Sequence, residues 1–369
     1  MMGEFLGEIS EKILFEMEEK SMIIGYEEPI LITGASGFIG SRVVETLLRR
    51  GFRSLRCFVR PSSKAEALLK LMVLFKDANI EIFEGNLLRE ADCKKATSGV
   101  SIIYHLAAGR GEKSYPNAFL NSVVTTRNLL EASLSNRTLK RVVNVGSFAV
   151  YSNHRIRRNG LLDETCPLEN NPAKRGEAYC YAKVRQEEIV LDYGRRFNIP
   201  YVLVRPGVVY GPGNKGLTGR VGIGTFGIFL HLGGSNIIPL SYVDNCAEAI
   251  VLAGLIKGID GEIFNIVDDD LITSRHLLRL YKKNVGDFPS IYLAKSISFL
   301  LSYFWERYSN WSKGQLPPSF NRNKWESYWK GNRYNNKKLH ELLGWHPVVG
   351  LHDALKKYFE YQKTMKVKL

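Results

Sequence analysis

The chain has 369 residues, a net charge of +14, 45% apolar residues and 24% charged ones. That length exceeds one ordinary core, so a large α/β domain with a second, smaller lobe is expected. The composition excludes a disordered or collagen-like chain, and no apolar run approaches the roughly 20 residues that span a bilayer.

In chain order, residues 4–20 set Phe5, Ile9, Ile13 and Met17 four apart among glutamates. This predicts a short acidic amphipathic helix within an acidic N-terminal extension, residues 1–29. Met22 offers a second start just ahead of the first strand. The extension holds eight Glu and two Lys, a net of −6, which leaves +20 on the rest. A body this basic suits anionic partners such as nucleotides and phosphates.

From residue 30 strands alternate with helices. "PILITG" is a short buried strand, and "GFIGSRVVETLLRRG" is a helix closed by Gly51. "SLRCFVR" follows as a strand, then a helix from Lys64 to Lys76. "IEIFEG", "SIIYHLAA" and "RVVNVGS" are further strands, the last two separated by a helix over 117–135. A long helix covers Ala178 to Phe197 and leads to the strand "YVLVRPG". This rhythm predicts an α/β fold, a Rossmann-type doubly wound parallel sheet with ligands at the strand C-termini. After residue 206 the rhythm breaks into a Gly-rich, loop-like stretch. "NIIPLSYVDN" then feeds a helix, "EIFNIV" is the last sheet strand, and 273–369 reads as mostly helical. The expected division is a dinucleotide-binding domain over 30–205 and 236–270, with a smaller, mostly helical substrate lobe over 206–235 and 271–369.

All five tryptophans lie between Trp305 and Trp345, and residues 281–340 hold eleven Lys/Arg against three acids. Charge and Pro317–Pro318 interrupt the stretch 290–335, so it is expected to form a helical lid over the substrate cleft. Phe299, Phe304 and Trp305 would face inward while Lys and Arg snorkel outward. Peripheral contact with an anionic membrane is the rival reading. The five cysteines, at 57, 93, 166, 180 and 246, have no metal-ligand spacing. No metal site is expected, and scattered thiols of odd number suggest a reducing, cytoplasmic setting. The N-terminus lacks a basic segment followed by an apolar core, so no secretory signal is expected.

Three sets of residues carry chemistry. In "TGASGFIG" a glycine-rich turn joins strand to helix, so backbone N–H groups and a helix N-terminus can receive a pyrophosphate. The residues concerned are Gly34, Ser36, Gly37, Phe38, Ile39 and Gly40. At the end of the second strand, where an acid would grip a ribose 2′-hydroxyl, the chain has Arg60, followed by Ser62, Ser63 and Lys64. A cation there can pair with a 2′-phosphate, which favours NADP over NAD. Third, Tyr179 and Lys183 in "YCYAK" lie four apart on one helical face. An ammonium beside a phenol favours the phenolate, so Tyr179 can exchange a proton with an alcohol or ketone while hydride moves to or from nicotinamide. Ser147, just past a strand end, can bond the same oxygen. Tyr181 competes with Tyr179, but the residue four further on is Arg185, not lysine.

With these on the page, the chain resembles the extended short-chain dehydrogenase/reductases of the NAD-dependent epimerase/dehydratase family. The likeness runs from about residue 30 to 360. It rests on "TGASGFIG", "YHLAA", "GSFAVY", "YCYAK", "RPGVVYGPG", "YVDNCAEA" and "LGWHP". The resemblance implies Ser147, Tyr179 and Lys183 as a catalytic triad, with Lys183 also touching the nicotinamide ribose. It implies that Leu106, Ala107 and Ala108 line the cofactor, that Pro206 and Val208 lie near the nicotinamide, and that Asn121 orders the active-site backbone. It further implies a homodimer. In "GNL" the family's usual Asp is replaced by Asn86, beside Leu87; its carbonyl can still accept from adenine. Phe148 and Ala149 follow Ser147 where sugar 4,6-dehydratases carry Asp-Glu, which argues against dehydration. The aromatic 290–335 stretch is more similar to the hydroxysteroid-dehydrogenase-like branch than to compact sugar epimerases.

The expected activity is NAD(P)-dependent epimerisation or reduction at a secondary alcohol or ketone, most simply of a nucleotide sugar. Arg155, Arg157, Arg158, Lys215 and Arg220 would then serve as diphosphate partners. The alternatives are a 3β-hydroxysteroid-dehydrogenase-like or dihydroflavonol-reductase-like enzyme on an apolar substrate, and a non-catalytic NADP-sensing or RNA-binding member. The intact trio argues against the last, and no nucleic-acid partner is expected.

Overall fold

The apolar strand runs assemble into a seven-stranded parallel sheet in the computed structural model, which describes residues 21–109, 114–312 and 320–366. The predicted helix over 4–20 and Pro317–Pro318 lie outside the described residues. In chain order the sheet domain comprises β1 (Ile30–Thr33), α1 (Gly40–Arg49), β2 (Ser54–Val59), α2 (Glu66–Leu74), β3 (Asn79–Glu84), α3 (Glu90–Thr97) and β4 (Ile102–His105). Next, α4 (Tyr115–Ala118) passes through a π-helical stretch, Phe119–Val124, into α5 (Thr125–Ser133). β5 (Arg141–Val145), α6 (Ala178–Phe197) and β6 (Tyr201–Pro206) follow. The remainder comprises β7 (Val208–Tyr210), β8 (Gly222–Thr225), β9 (Ile228–His231), β10 (Leu240–Tyr242), α7 (Val243–Leu255), β11 (Ile263–Ile266), α8 (Ser274–Val285) and β12 (Ser290–Tyr292). The chain closes with α9 (Lys295–Trp311), α10 (Arg322–Trp329), α11 (Lys337–Leu343) and α12 (Leu351–Lys366).

The sheet order is β11-β6-β5-β4-β1-β2-β3, with every pairing parallel. Order reverses between β1 and β4, which opens a crevice at their C-terminal ends. β1, β4 and β5 are buried at every position because both faces are covered. Ile30 and Ile32 point into one core layer and Leu31 into the other, the period of two that a strand imposes. Each fully buried aliphatic side chain of this kind stabilises by about 1.5–3 kcal/mol.

Three features differ from the sequence reading. Residues 21–29 are not merely appended: Met22 and Ile24 are buried in the sheet core, and Met22 bridges Ile256. Leu339 and Leu343 of α11, with Trp345, also enter that core, so 271–369 does not belong wholly to the substrate lobe. The Gly-rich stretch after 206 holds β7 and the β8–β9 hairpin, which pairs with β12 in a small sheet of its own. The hairpin turns on Phe226 and Gly227, both at positive φ. Phe226, at φ 47°, takes a backbone conformation that costs a non-glycine residue about 1–2 kcal/mol.

The lid expectation needs a larger correction. In α9 the buried residues are Ser298, Ser302 and Ser309, whereas Phe304 is 58% exposed and Trp305 and Phe299 are 37% exposed each. Small serines let α10 approach closely: Trp325 Nε1 donates to Ser298 Oγ at 2.9 Å. Trp325 and Trp329 fill the space beneath, packed with Leu232. Phe299 packs edge-on against Trp325, while Phe304 and Trp311 lie outward, and no residue of α9 lines the cleft.

Candidate active site and its family

The glycine turn, Arg60, Asn86, Leu87, Leu106, Ala107, Ala108, Pro206, Val208 and the trio Ser147, Tyr179 and Lys183 all line one cleft of about 880 Å³ at the C-terminal edge of the sheet. The β1–α1 turn forms its floor. Gly34 sits at φ +71°, and Gly37 N donates back to Gly34 O at 2.9 Å. A Cβ on Gly40 would lie 2.1 Å from Gly34 O, and one on Gly34 would lie 3.0 Å from Ala107 N. Only glycine fits this packing. α1 begins without a capping side chain or an acid in its first turn, so its N-terminus remains electropositive.

Arg60 is exposed at the end of β2, where Ser63 N donates to Arg60 O and Ser63 also lines the cleft. Ser62 and Lys64 do not line it. Asn86 accepts from Leu88 N at 3.0 Å through Oδ1, which leaves that oxygen one further lone pair. Leu106, Ala107 and Ala108 follow β4, and Pro206 and Val208 flank the end of β6.

The trio comes from two elements. Ser147 follows Gly146 at the end of β5 and accepts from Ala149 N, which starts a short 3₁₀ turn. Tyr179, near the start of α6, is 36% exposed. Lys183, one helical turn on, is buried; its Nζ donates to Val145 O at 2.7 Å and to Gln186 Oε1 at 2.9 Å. Burial pulls the ammonium down to about 8, while the charge of Glu187 opposes the shift.

A buried hydrogen-bond chain continues from Lys183 across the domain. Gln186 Nε2 donates to Thr126 Oγ1 at 2.9 Å, and Thr126 donates to Ser122 O in the π-helical stretch. His105 links Thr126 and Thr33, at 2.8 and 2.7 Å. Thr33 Oγ1 also accepts from Ala107 N. A proton on His105 Nε2 satisfies every member, and burial holds the ring neutral by lowering its pKa to about 3. Asn121 lies within the π-helical stretch and lines the cleft.

The far wall carries groups that sequence reasoning missed. Arg175, almost fully buried, donates to Ala149 O at 2.8 Å and pairs with Glu177. Arg175 and Arg220 both face the Tyr328 ring, at 6.0 and 5.3 Å. Lys215 and Arg220 line the cleft as expected, but Arg157 and Arg158 do not; Arg158 lines a separate cavity. The Arg155 side chain lies outside the described residues. Of 290–335, only Tyr328 lines the cleft among the described residues. Above it, α12 clasps the loop after β7. Gly216 N donates to Gln362 Oε1, Gln362 Nε2 donates to Asn214 O, and the Tyr358 hydroxyl donates to Gly216 O.

The sequence model of the NAD-dependent epimerase/dehydratase family matches residues 30–266. The chain belongs to that family. Its relatives and structural neighbours include epimerases, dehydratases and reductases. A trifunctional UDP-glucose 4,6-dehydratase/UDP-4-keto-6-deoxy-D-glucose 3,5-epimerase/UDP-4-keto-L-rhamnose-reductase of Arabidopsis thaliana is 30% identical over 259 residues, covering 64% of this chain and 36% of the relative. Cinnamoyl-CoA reductase 1 of Oryza sativa subsp. japonica is 29% identical over 190 residues, covering 51% of this chain and 55% of the relative. The chain thus spans between about a third and just over half the length of these curated relatives. Among solved structures, gox2253 superposes with a TM-score of 0.73 at 25% identity, covering 92% of this chain and 99% of that one. UDP-glucuronic acid 4-epimerase from Bacillus cereus, in complex with UDP-glucuronic acid and NAD, gives 0.69 at 22% identity, covering 91% and 99%; at that identity the likeness is one of fold.

Proposed function

We propose that this family member transfers hydride at a secondary alcohol or ketone of a nucleotide sugar, with NADP preferred and Ser147, Tyr179 and Lys183 acting at the reacting carbon. The observation that carries the reading is that all three line the same cleft as the glycine turn. A turn closed to any Cβ and an uncapped helix start fit a pyrophosphate, and the buried, partnerless Tyr210 hydroxyl fits a polar ligand in the same cleft. A bound nicotinamide dinucleotide would supply or receive the hydride. The backbone from Gly37 to Gly40 would hold its diphosphate, and Arg60 its 2′-phosphate.

The chain's own part is proton handling and orientation. Tyr179 Oη gives a proton to the substrate oxygen in reduction and takes one in oxidation. Ser147 Oγ bonds that oxygen and fixes its direction. The Lys183 ammonium, tethered by Val145 O and Gln186, stabilises the phenolate form of Tyr179. Phe148 and Ala149 offer no carboxylate, so no elimination step is assigned to this site. Lys215 and Arg220 give the cleft the charge that a nucleotide diphosphate requires. The UDP-sugar relatives support this choice, since their names carry such substrates.

A second reading, reduction of an apolar ketone, draws on Leu217, Leu277 and Tyr358, which also line the cleft, and on the cinnamoyl-CoA reductase likeness. Incubation with a panel of UDP-sugars and with hydrophobic ketones decides between them. Turnover of hydrophobic ketones alone sinks the sugar assignment. Mass spectrometry of the native protein identifies any dinucleotide that co-purifies.

Two expected outcomes arise here. Arg60→Asp should swing preference from NADP towards NAD by about 10–100-fold, the loss of one charged hydrogen bond plus repulsion. Titration of both cofactors against both proteins measures it, and a wild type that already prefers NAD refutes the role of Arg60. Activity should also fall on the alkaline side with an apparent pKa near 8, as Lys183 loses its proton. The same depressed pKa makes Lys183 raise the stability of the unliganded fold as pH climbs from about 8 to the ordinary lysine value of 10.5. A pH–rate profile flat to pH 10 would remove the ammonium from the mechanism.

A further inference from the structure

We propose that the outward face of α9, the hairpin tip at Phe226 and the cation-lined cavity at the start of α9 form a docking surface for an anionic phospholipid bilayer. The inference holds whatever the cleft turns over.

The first observation is the inverted amphipathicity of α9. At 100° per residue, Ile297, Leu300, Leu301, Phe304, Tyr308 and Trp311 share one arc, opposite the buried serines. All six are about half exposed or more, and Arg307 is the only charge among them. Glu306 lies off the arc, paired with Arg322. A helix that buries serine and exposes phenylalanine and tryptophan has its apolar face towards something other than its own core.

The second observation comes from the sheet that leads into α9. Ile223, Leu230 and Ile291 are register neighbours on one face, and Ile223 and Ile291 are exposed. At the hairpin tip Phe226 is fully exposed. A phenylalanine held at positive φ without burial gains nothing from packing to offset its backbone strain. An apolar phase beyond the protein surface supplies that missing burial.

The third observation is electrostatic. A cavity of about 460 Å³ is lined by Arg158, Arg333 and Lys295, the first residue of α9, with no carboxylate in its wall. Lys295 donates to Asn236, and burial with Arg158 nearby holds its ammonium below the ordinary value. Asn332, also in the wall, is held by donating to Asn153 Oδ1. Three cations facing one cavity suit a lipid phosphate.

Charge selects the bilayer over a second copy of this chain. Self-association through this face would oppose Arg307 and the three cavity cations to their own kind, whereas an anionic leaflet attracts each of them and the chain's net +14. Tyr308 and Trp311 are the side chains that favour headgroup depth. No helix among the described residues is long and apolar enough to cross a membrane, so α9 would lie in the plane of the interface.

Flotation of the full chain with phosphatidylcholine vesicles, with and without phosphatidylserine, tests this. Binding is expected only with phosphatidylserine present, and it should weaken as salt rises. Arg158→Gln and Arg333→Gln should each weaken it about fivefold. Phe304→Ser combined with Trp311→Ser should weaken it at least about tenfold. Phe226→Asn, which relieves the backbone strain, should weaken binding while the melting temperature holds or rises. The proposal is overturned if the wild type floats with neither vesicle, or floats equally with both. It is also overturned if these variants leave flotation unchanged, or if they instead convert a dimer to a monomer in gel filtration without lipid.

Discussion

Tyr179→Phe is expected to lower kcat about 10³-fold while dinucleotide affinity stays within about threefold of wild type. The substitution removes one hydroxyl and keeps the ring. Tyr179 is a third exposed in the cleft, so its loss leaves no buried cavity and the α6 backbone has no reason to move. Ser147 and Lys183 stay tethered by Ala149 N, Val145 O and Gln186. What disappears is the proton that must reach or leave the substrate oxygen in the transition state. An effect on kcat with little on binding is the signature of such a group. Activity within tenfold of wild type would show that another donor, such as Ser147 or water, carries the proton.

Glu187→Gln should produce the largest stability loss of any near-isosteric change around the site. Glu187 and Arg205 form an ion pair whose side chains are both almost fully buried. Arg205 also donates to Tyr151 Oη, which donates to Asn265 Oδ1, and Asn265 N donates to Glu164. Removing one charge strands the other in a dry interior, which typically costs about 3–5 kcal/mol. Chemical denaturation measures it. The double variant Glu187→Leu with Arg205→Met should recover most of the loss, because it strands nothing. A single-variant loss below about 1 kcal/mol would mean that water solvates Arg205 after all. The carboxylate also supports the Lys183 charge, so the same variant should shift the alkaline limb of activity to lower pH.

The parts of the fold legible in the sequence were those set by local rules. β1 reads as a strand because a strand covered on both faces must be apolar at consecutive positions. Gly34, Gly37 and Gly40 stand out by their spacing between a strand and a helix; Gly34 has positive φ, and a Cβ on Gly40 would strike the Gly34 carbonyl. Tyr179 and Lys183 announce their shared face through helical spacing alone.

What stayed hidden depends on partners distant in sequence. Periodicity states which residues of α9 share a face, but not which face turns inward. That was decided by Trp325, whose Nε1 donates to Ser298 Oγ and whose indole meets the Phe299 ring edge-on, so the serine stripe of α9 turns towards α10. Arg175 lies in a basic segment that reads as surface; Ala149 O and Tyr328 meet it from two distant places in the chain, and neighbouring Glu177 pairs with it. Gln186 and Thr126 look like ordinary helix polars until His105, on another strand, joins them. Trp345 was grouped with the lobe by its neighbours in sequence, yet its Nε1 donates to Asn245 O beneath the sheet.

Gln362 and Tyr358, the latter itself lining the cleft, tie the 214–216 loop to α12, so lifting this loop away from α12 breaks these hydrogen bonds. For a cofactor that leaves past this loop, release would wait on the opening of these hydrogen bonds. An enzyme that hands the hydride back can keep one cofactor for many cycles. An enzyme that exports the hydride must discharge its spent cofactor after each. Under the proposed function, the choice between these two economies of turnover would fall partly to the lifetime of a grip made nearly 150 residues downstream in the chain.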